Sequence, residues 1–130
     1  MSKTILFVDD DADDREVLAN VLERVSPQVN AVFAENGLKA IEYLNQSPRL
    51  PCLIVLDLNM PVLDGKETFK KIRNELNLAS VPVIIFTSSH NPNDRSLFHS
   101  LGIEFITKPD DFTHFNSIVD HMVSVCSGNC

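Results

Sequence analysis

The sequence predicts an α/β protein, a parallel sheet with helices on both faces. Short apolar runs alternate five times with stretches of helical period. That alternation implies parallel strands joined by right-handed crossovers. The central runs, such as Cys52–Leu56, are continuously apolar rather than alternating, the mark of strands buried on both faces. The 130 residues suggest one domain, 1–130, with a core over about 3–126.

The elements follow in order. Lys3–Val8 is a first strand ending in Asp9-Asp10-Asp11, and Val17, Leu18, Val21, Leu22 and Val25 mark the helix after it. Asp11 and Asp13 suit that helix's N-terminus, where negative charge meets the positive dipole end. Ser26-Pro27 breaks the helix. Val29–Ala34 is half polar and reads as an edge strand; Asn36-Gly37 is a turn, and Leu38, Ile41 and Leu44 mark a short helix. Cys52–Asp57 is the third strand, and Asp64-Gly65 precedes a helix bearing Phe69, Ile72 and Leu76. Pro82–Thr87 is the fourth strand. Asn91-Pro92-Asn93 opens a helix carrying Leu97, Phe98 and Leu101, which Gly102 ends. Ile103–Thr107 is the fifth strand, ending in Lys108-Pro109. The last helix carries Phe112, Phe115, Ile118, Val119, Met122 and Val123.

Composition narrows the function. A net charge of −7 argues against nonspecific binding to nucleic acid or anionic membrane, and no Lys or Arg follows Lys108. Cys52, Cys126 and Cys130 form neither a CxxC pair nor a zinc spacing. Cys52 reads as core, Cys126 as core-facing on the last helix and Cys130 as a terminal thiol, a usage that fits a reducing cytoplasm. No signal-peptide pattern or membrane-length apolar run occurs. The four histidines lack metal-ligand spacing, and the four glycines form no nucleotide-binding loop.

Four strands end in a residue with chemistry: Asp9 and Asp10, Asp57, Thr87, and Lys108. Open α/β sheets bind ligands beyond the carboxyl ends of their strands, so parallel strands bring these residues to one edge. Taken singly, each has a duller reading: a solvated helix start, a loop cap, a strand-end hydroxyl, a surface lysine. Jointly the dull readings lose, because all four sites fall at strand ends in order. Crowded carboxylates resist full ionisation, and Mg²⁺ relieves the repulsion with oxygen ligands. A carboxylate can also attack phosphorus to give an aspartyl phosphate. Lys108 would supply positive charge, and the Thr87 hydroxyl a hydrogen bond to a phosphoryl oxygen.

The segments Ile-Leu-Phe-Val-Asp9-Asp10-Asp11, Leu-Asp57-Leu-Asn-Met-Pro-Val-Leu-Asp-Gly65, Pro-Val-Ile-Ile-Phe-Thr87-Ser and Thr-Lys108-Pro109 together resemble the receiver domain of two-component response regulators. The resemblance covers about the whole chain. It implies a flavodoxin-like (βα)5 three-layer sandwich with sheet order 2-1-3-4-5, the order for which a member of this family is a standard example. It implies that Asp57 is the phosphoacceptor, that Asp10 binds Mg²⁺ (or Mn²⁺) directly and Asp9 mostly through water, and that Asn59 offers its backbone carbonyl. Lys108 would pair with the phosphoryl group, with a cis peptide bond to Pro109. Thr87 and Phe105 match the family's switch pair. Phe105 lacks the hydroxyl of the tyrosine often found there. Asp110-Asp111, close behind the lysine, reads as the start of the last helix.

The expected function is a stand-alone cytoplasmic receiver taking phosphoryl from a histidine kinase or histidine phosphotransfer protein. Its output would be protein binding through helix 4, strand 5 and helix 5, without metabolic turnover and without direct nucleic-acid or membrane contact. Two alternatives stand beside it. One is a phosphatase-type hydrolase with an aspartyl-phosphate intermediate, disfavoured by Asn59 where such enzymes usually carry a second acid. The other is a pseudo-receiver that works without phosphorylation, disfavoured by the intact acid, threonine and lysine set.

Overall fold

The structure is a computed structural model that describes residues 3–76 and 78–128. The strands are β1 (Lys3–Val8), β2 (Val29–Ala34), β3 (Leu53–Leu56), β4 (Val83–Thr87) and β5 (Glu104–Thr107). They form one sheet of order β2-β1-β3-β4-β5, all pairs parallel. The helices are α1 (Ala12–Val25), α2 (Gly37–Gln46), α3 (Gly65–Lys70), α4 (Pro92–Ser100) and α5 (Phe115–Gly128). The flavodoxin-like fold and its strand order are therefore as expected, with β2 at an edge. Among the described residues, no helix is long and apolar enough to cross a membrane.

The strands' two-residue period sorts the core into two layers. Leu6, Val8, Ile54, Leu56, Val83 and Ile85 point to one face, where Ala40 and Leu44 of α2, Phe69 of α3 and Phe98 of α4 cover them. Ile5, Phe7, Leu53, Val55, Ile84 and Phe86 point to the other, against Leu18 and Leu22 of α1 and Phe115, Val119 and Met122 of α5. Both faces of the three central strands are thus buried, which explains their unbroken apolar sequence.

Helix starts follow from local chemistry. Asp11 caps α1 by accepting from the backbone N–H groups of Asp13 and Asp14, and Asn36 and Asp64 do the same for α2 and α3. Asn91 caps α4, whose first residue is Pro92. Gly102, at φ +72°, follows the end of α4 in the left-handed region that favours glycine. Asp111 caps a short 3₁₀ turn, Phe112–His114, that leads into α5, in keeping with the helix-start reading of Asp110-Asp111.

Three local expectations are corrected. The third helix is not regular. After Lys70 it continues as a π-turn, Lys71–Glu75, in which the Leu76 N–H donates to the Lys71 carbonyl at 3.0 Å; a 3.6-residue sequence period does not register such an insertion. Cys52 and Cys126 are not independent thiols. Their Cα atoms lie 4.8 Å apart and they form a disulfide across 74 residues of sequence, a pairing set by the docking of α5 on β3 and invisible in cysteine spacing. The Cys130 expectation lies outside the described residues. Finally, the Lys108–Pro109 peptide is trans, since the described residues contain no cis bond. Trans is the lower-energy isomer of an X–Pro bond by about 0.5–1 kcal/mol, and Lys108 reaches the site without the other.

Candidate functional site

The sheet itself aims the site. Hydrogen bonds of the strand ladder run one residue past β1, β3 and β5. The Asp9 N–H donates to the Ala34 carbonyl at 3.0 Å, Asp57 N–H to Val8 at 3.0 Å, and Lys108 N–H to Thr87 at 2.7 Å. The backbones of three site residues are therefore pinned while their side chains leave the sheet at one edge. Asp9, Asp57 and Thr87 are buried, whereas Asp10 and Asn59 are exposed. Asp10, Asp57, Asn59, Ser88 and Lys108 line a cavity of about 300 Å³ that opens there.

Lys108 crosses this edge. Its ammonium lies 2.9 Å from Asp9 Oδ2, 3.0 Å from Asp57 Oδ2 and 2.7 Å from Asp14 Oδ2. The other oxygens are held by backbone: Asp9 Oδ1 accepts from the Asp11 N–H at 2.9 Å and Asp57 Oδ1 from the Asn59 N–H at 3.3 Å. Burial pushes the Asp9 carboxyl up to about 6 despite the opposing pull of Lys108. For Lys108, burial favours the neutral amine, but Asp14, Asp57 and Asp9 outweigh it and raise its pKa. The ammonium thus stays charged, and one cation is shared among three acids.

Asp14 and Arg15 are the site residues that the sequence did not single out. Asp14 faces inward from the first turn of α1, and the Arg15 guanidinium donates to the Asp9 carbonyl at 2.8 Å. The available signal was the helix start: with Asp11 as N-cap, Asp14 is the third helical residue, directed back over the strand end.

The loop after β3 carries a local distortion. Val62, at φ +71°, is the described non-glycine residue with positive φ, and the Leu63 N–H donates to the Pro61 carbonyl at 2.8 Å, closing a γ-turn. Positive φ is costly for a β-branched residue. The loop then returns under Asp57, where Gly65 packs so closely that an added Cβ would fall on the Asp57 carbonyl oxygen.

The far side of the site connects to α4. Thr87 Oγ1 accepts from the Ser89 N–H at 3.3 Å, Ser89 Oγ donates to Asp94 Oδ2 at 2.9 Å, and Lys66 of α3 pairs with Asp94 Oδ1 at 2.5 Å. Lys66 holds the Asp94 carboxyl below the usual range. Phe105 is half-buried, 6.3 Å from the Phe98 ring, and the Arg95 guanidinium lies 4.9 Å over its face.

Asp9, Asp10 and Asp57 each offer an oxygen, and these atoms lie within 4.8 Å of one another. An all-oxygen acidic set fits a hard divalent cation. A sheet of order 2-1-3-4-5 with such a cluster and a lysine at its carboxyl edge defines a receiver-type α/β module. The chain matches the response regulator receiver domain over residues 5–120 and belongs to that family. It is thus the switch module of two-component signalling.

Response regulator Rcp1 of Synechocystis sp. (strain ATCC 27184 / PCC 6803 / Kazusa) is 34% identical over 113 residues, 82% of this chain and 76% of the relative. Its Mn(2+)-bound form superposes with a TM-score of 0.84 at 32% identity, covering 94% of this chain and 92% of that one. The phosphorylated cyanobacterial phytochrome response regulator RcpA superposes with a TM-score of 0.89 at 26% identity, covering 100% and 97%. Response regulator GtcR of Aneurinibacillus migulanus is 39% identical over 110 residues, 84% of this chain but 43% of the relative. The module thus occurs both in regulators of similar length and within longer ones.

Proposed function

We propose that this receiver is a phosphorylation-dependent switch in which Asp57 accepts a phosphoryl group from a histidine kinase or histidine phosphotransfer protein. The observation that carries this reading is the place of the Asp57 carboxylate, pinned at the end of β3, 3.0 Å from the Lys108 ammonium and beside Asp9 and Asp10. An Asp57 oxygen would attack phosphorus and form a P–O bond. The donor's P–N bond would break, and the departing imidazole would keep the electron pair.

Asp9, Asp10 and Asp57 would hold Mg²⁺ or Mn²⁺, with the Asn59 carbonyl as a further ligand; the cation supplies charge neutralisation during transfer. The Mn(2+)-bound Rcp1 structure supports this choice. Lys108 would turn from its carboxylates to a phosphoryl oxygen. Thr87 would donate its hydroxyl to another, and the space it leaves would admit Phe105. That movement would bias the surface of α4, β5 and α5, where partner proteins would read the state. Asn59, standing two residues after Asp57 in the cavity, gives no general acid for rapid hydrolysis, so the output is binding.

The test is intact-mass measurement after incubation with Mg²⁺ and acetyl phosphate. One labile phosphoryl group is expected, absent in Asp57→Asn. No mass gain under conditions that label an established receiver would refute the reading.

A further inference from the structure

The helical period groups Leu97, Phe98 and Leu101 as one apolar set, but the structure divides them. Phe98 is 1% exposed, whereas Leu97 and Leu101 are 41% and 52% exposed. These two leucines, four residues apart, form one stripe. They border a groove of about 550 Å³ between α4 and the third helix with its π-turn. Phe69 and Phe98, ring centroids 5.3 Å apart, lie in its lining. The opposite wall carries Lys66, Lys70 and Arg73, a row at four- and three-residue spacing.

The charge of this groove departs from that of the molecule. The chain has 18 acids against 11 Lys and Arg, yet the described lining residues include these three cations and no Asp or Glu. Lys66 is closely paired with Asp94 of α4, across from its own helix. Lys70 stands 3.6 Å from Glu67 in an exposed pair, an arrangement that leaves most of its charge to solvent. Arg73 donates to the Leu78 and Val81 carbonyls and lies 5.2 Å over the Phe69 ring. Carbonyl acceptors leave its formal charge in place.

We propose that this groove docks an acidic amphipathic helix of a partner protein. Its apolar side chains would lie between Leu97, Leu101 and Phe69, and its carboxylates would face Lys70 and Arg73. Helix-in-groove recognition needs such an apolar stripe with a charged border. A second copy of this chain fits less well. Its acidic helix α1 already buries Leu18, Val21 and Leu22 in the core, and two copies at −7 repel. The groove lies apart from the acidic cavity and shares no lining residue with it.

The test titrates the ¹⁵N-labelled chain with two synthetic helical peptides of about 15 residues. One has Leu at i, i+4 and i+7 with Glu flanks, and the other has Lys at every Glu. The acidic peptide should give saturable amide shifts confined to 66–74 and 97–103. Leu97→Glu and Lys70→Glu, both at exposed positions, should each weaken binding about tenfold or more, as should the Lys peptide. Absence of saturable shifts, equal binding of both peptides, or shifts centred elsewhere would overturn the proposal. So would concentration-dependent shifts of the same residues without peptide, which would make a second copy the occupant.

Discussion

Replacing Asp9 by Asn should stabilise the metal-free protein at neutral pH and do little in acid. Burial raises the Asp9 carboxyl from 3.8 to about 6, so the folded chain binds this proton more tightly than the unfolded chain. Stability therefore falls as pH rises through that interval, and the full cost is present above it. The difference corresponds to about 3 kcal/mol at most. Asn keeps an oxygen for the Asp11 N–H, and Lys108 keeps Asp57 and Asp14. A gain of about 1–3 kcal/mol is expected at pH 7.5, or about 4–10 °C in Tm for a chain of this length. At pH 4 the two proteins should melt together to within about 2 °C. The assay is thermal unfolding followed by circular dichroism in EDTA at both pH values. Added Mg²⁺ should raise Tm more for the native chain than for the variant, because the variant lacks one carboxylate oxygen. A variant less stable than the native chain at pH 7.5 in EDTA would refute the electrostatic account of Asp9.

Other perturbations probe the supports of the site. Gly65→Ala would drive a methyl group onto the Asp57 carbonyl and to 2.6 Å from Leu58 Cα; urea unfolding should show a loss of about 1–3 kcal/mol, and acetyl phosphate labelling should slow. Val62→Gly relieves positive φ at a side chain that is 74% exposed, so urea unfolding should show a gain of about 1 kcal/mol. Cys126→Ser opens a loop of 74 residues and should cost about 2–5 kcal/mol. An equal Tm for that variant and the native chain under non-reducing conditions would contradict the disulfide.

Much of the architecture was legible because the sheet's burial is written in unbroken apolar runs. Cys52–Leu56 is the clearest of these, and Asp57 follows it at the point where the strand leaves the core. Asp9, Thr87 and Lys108 were legible in the same way, since each stands where a strand runs out. Asp14 was not, because its approach to Lys108 depends on how α1 sits over β1. The disulfide escaped for a related reason, as it joins Cys52, the residue before β3, to the last turns of α5. Leu38, Leu97 and Leu101 carry the helical period of core residues yet are 49%, 41% and 52% exposed. Periodicity reports an amphipathic stripe, and its width against a particular sheet is a tertiary property. The trans bond at Pro109 corrects an expectation carried by family resemblance rather than by local chemistry.

Asp57 is the residue proposed to take the phosphoryl group. Borohydride reduction locates that group, because it converts an aspartyl phosphate to homoserine and marks the position. The chain should be treated with acetyl phosphate and Mg²⁺, reduced, digested and mapped by mass spectrometry. Homoserine at position 57, and at no other aspartate, is the predicted result. Homoserine at Asp9, Asp10 or Asp14, or phosphorylation that persists in Asp57→Asn, would contradict it.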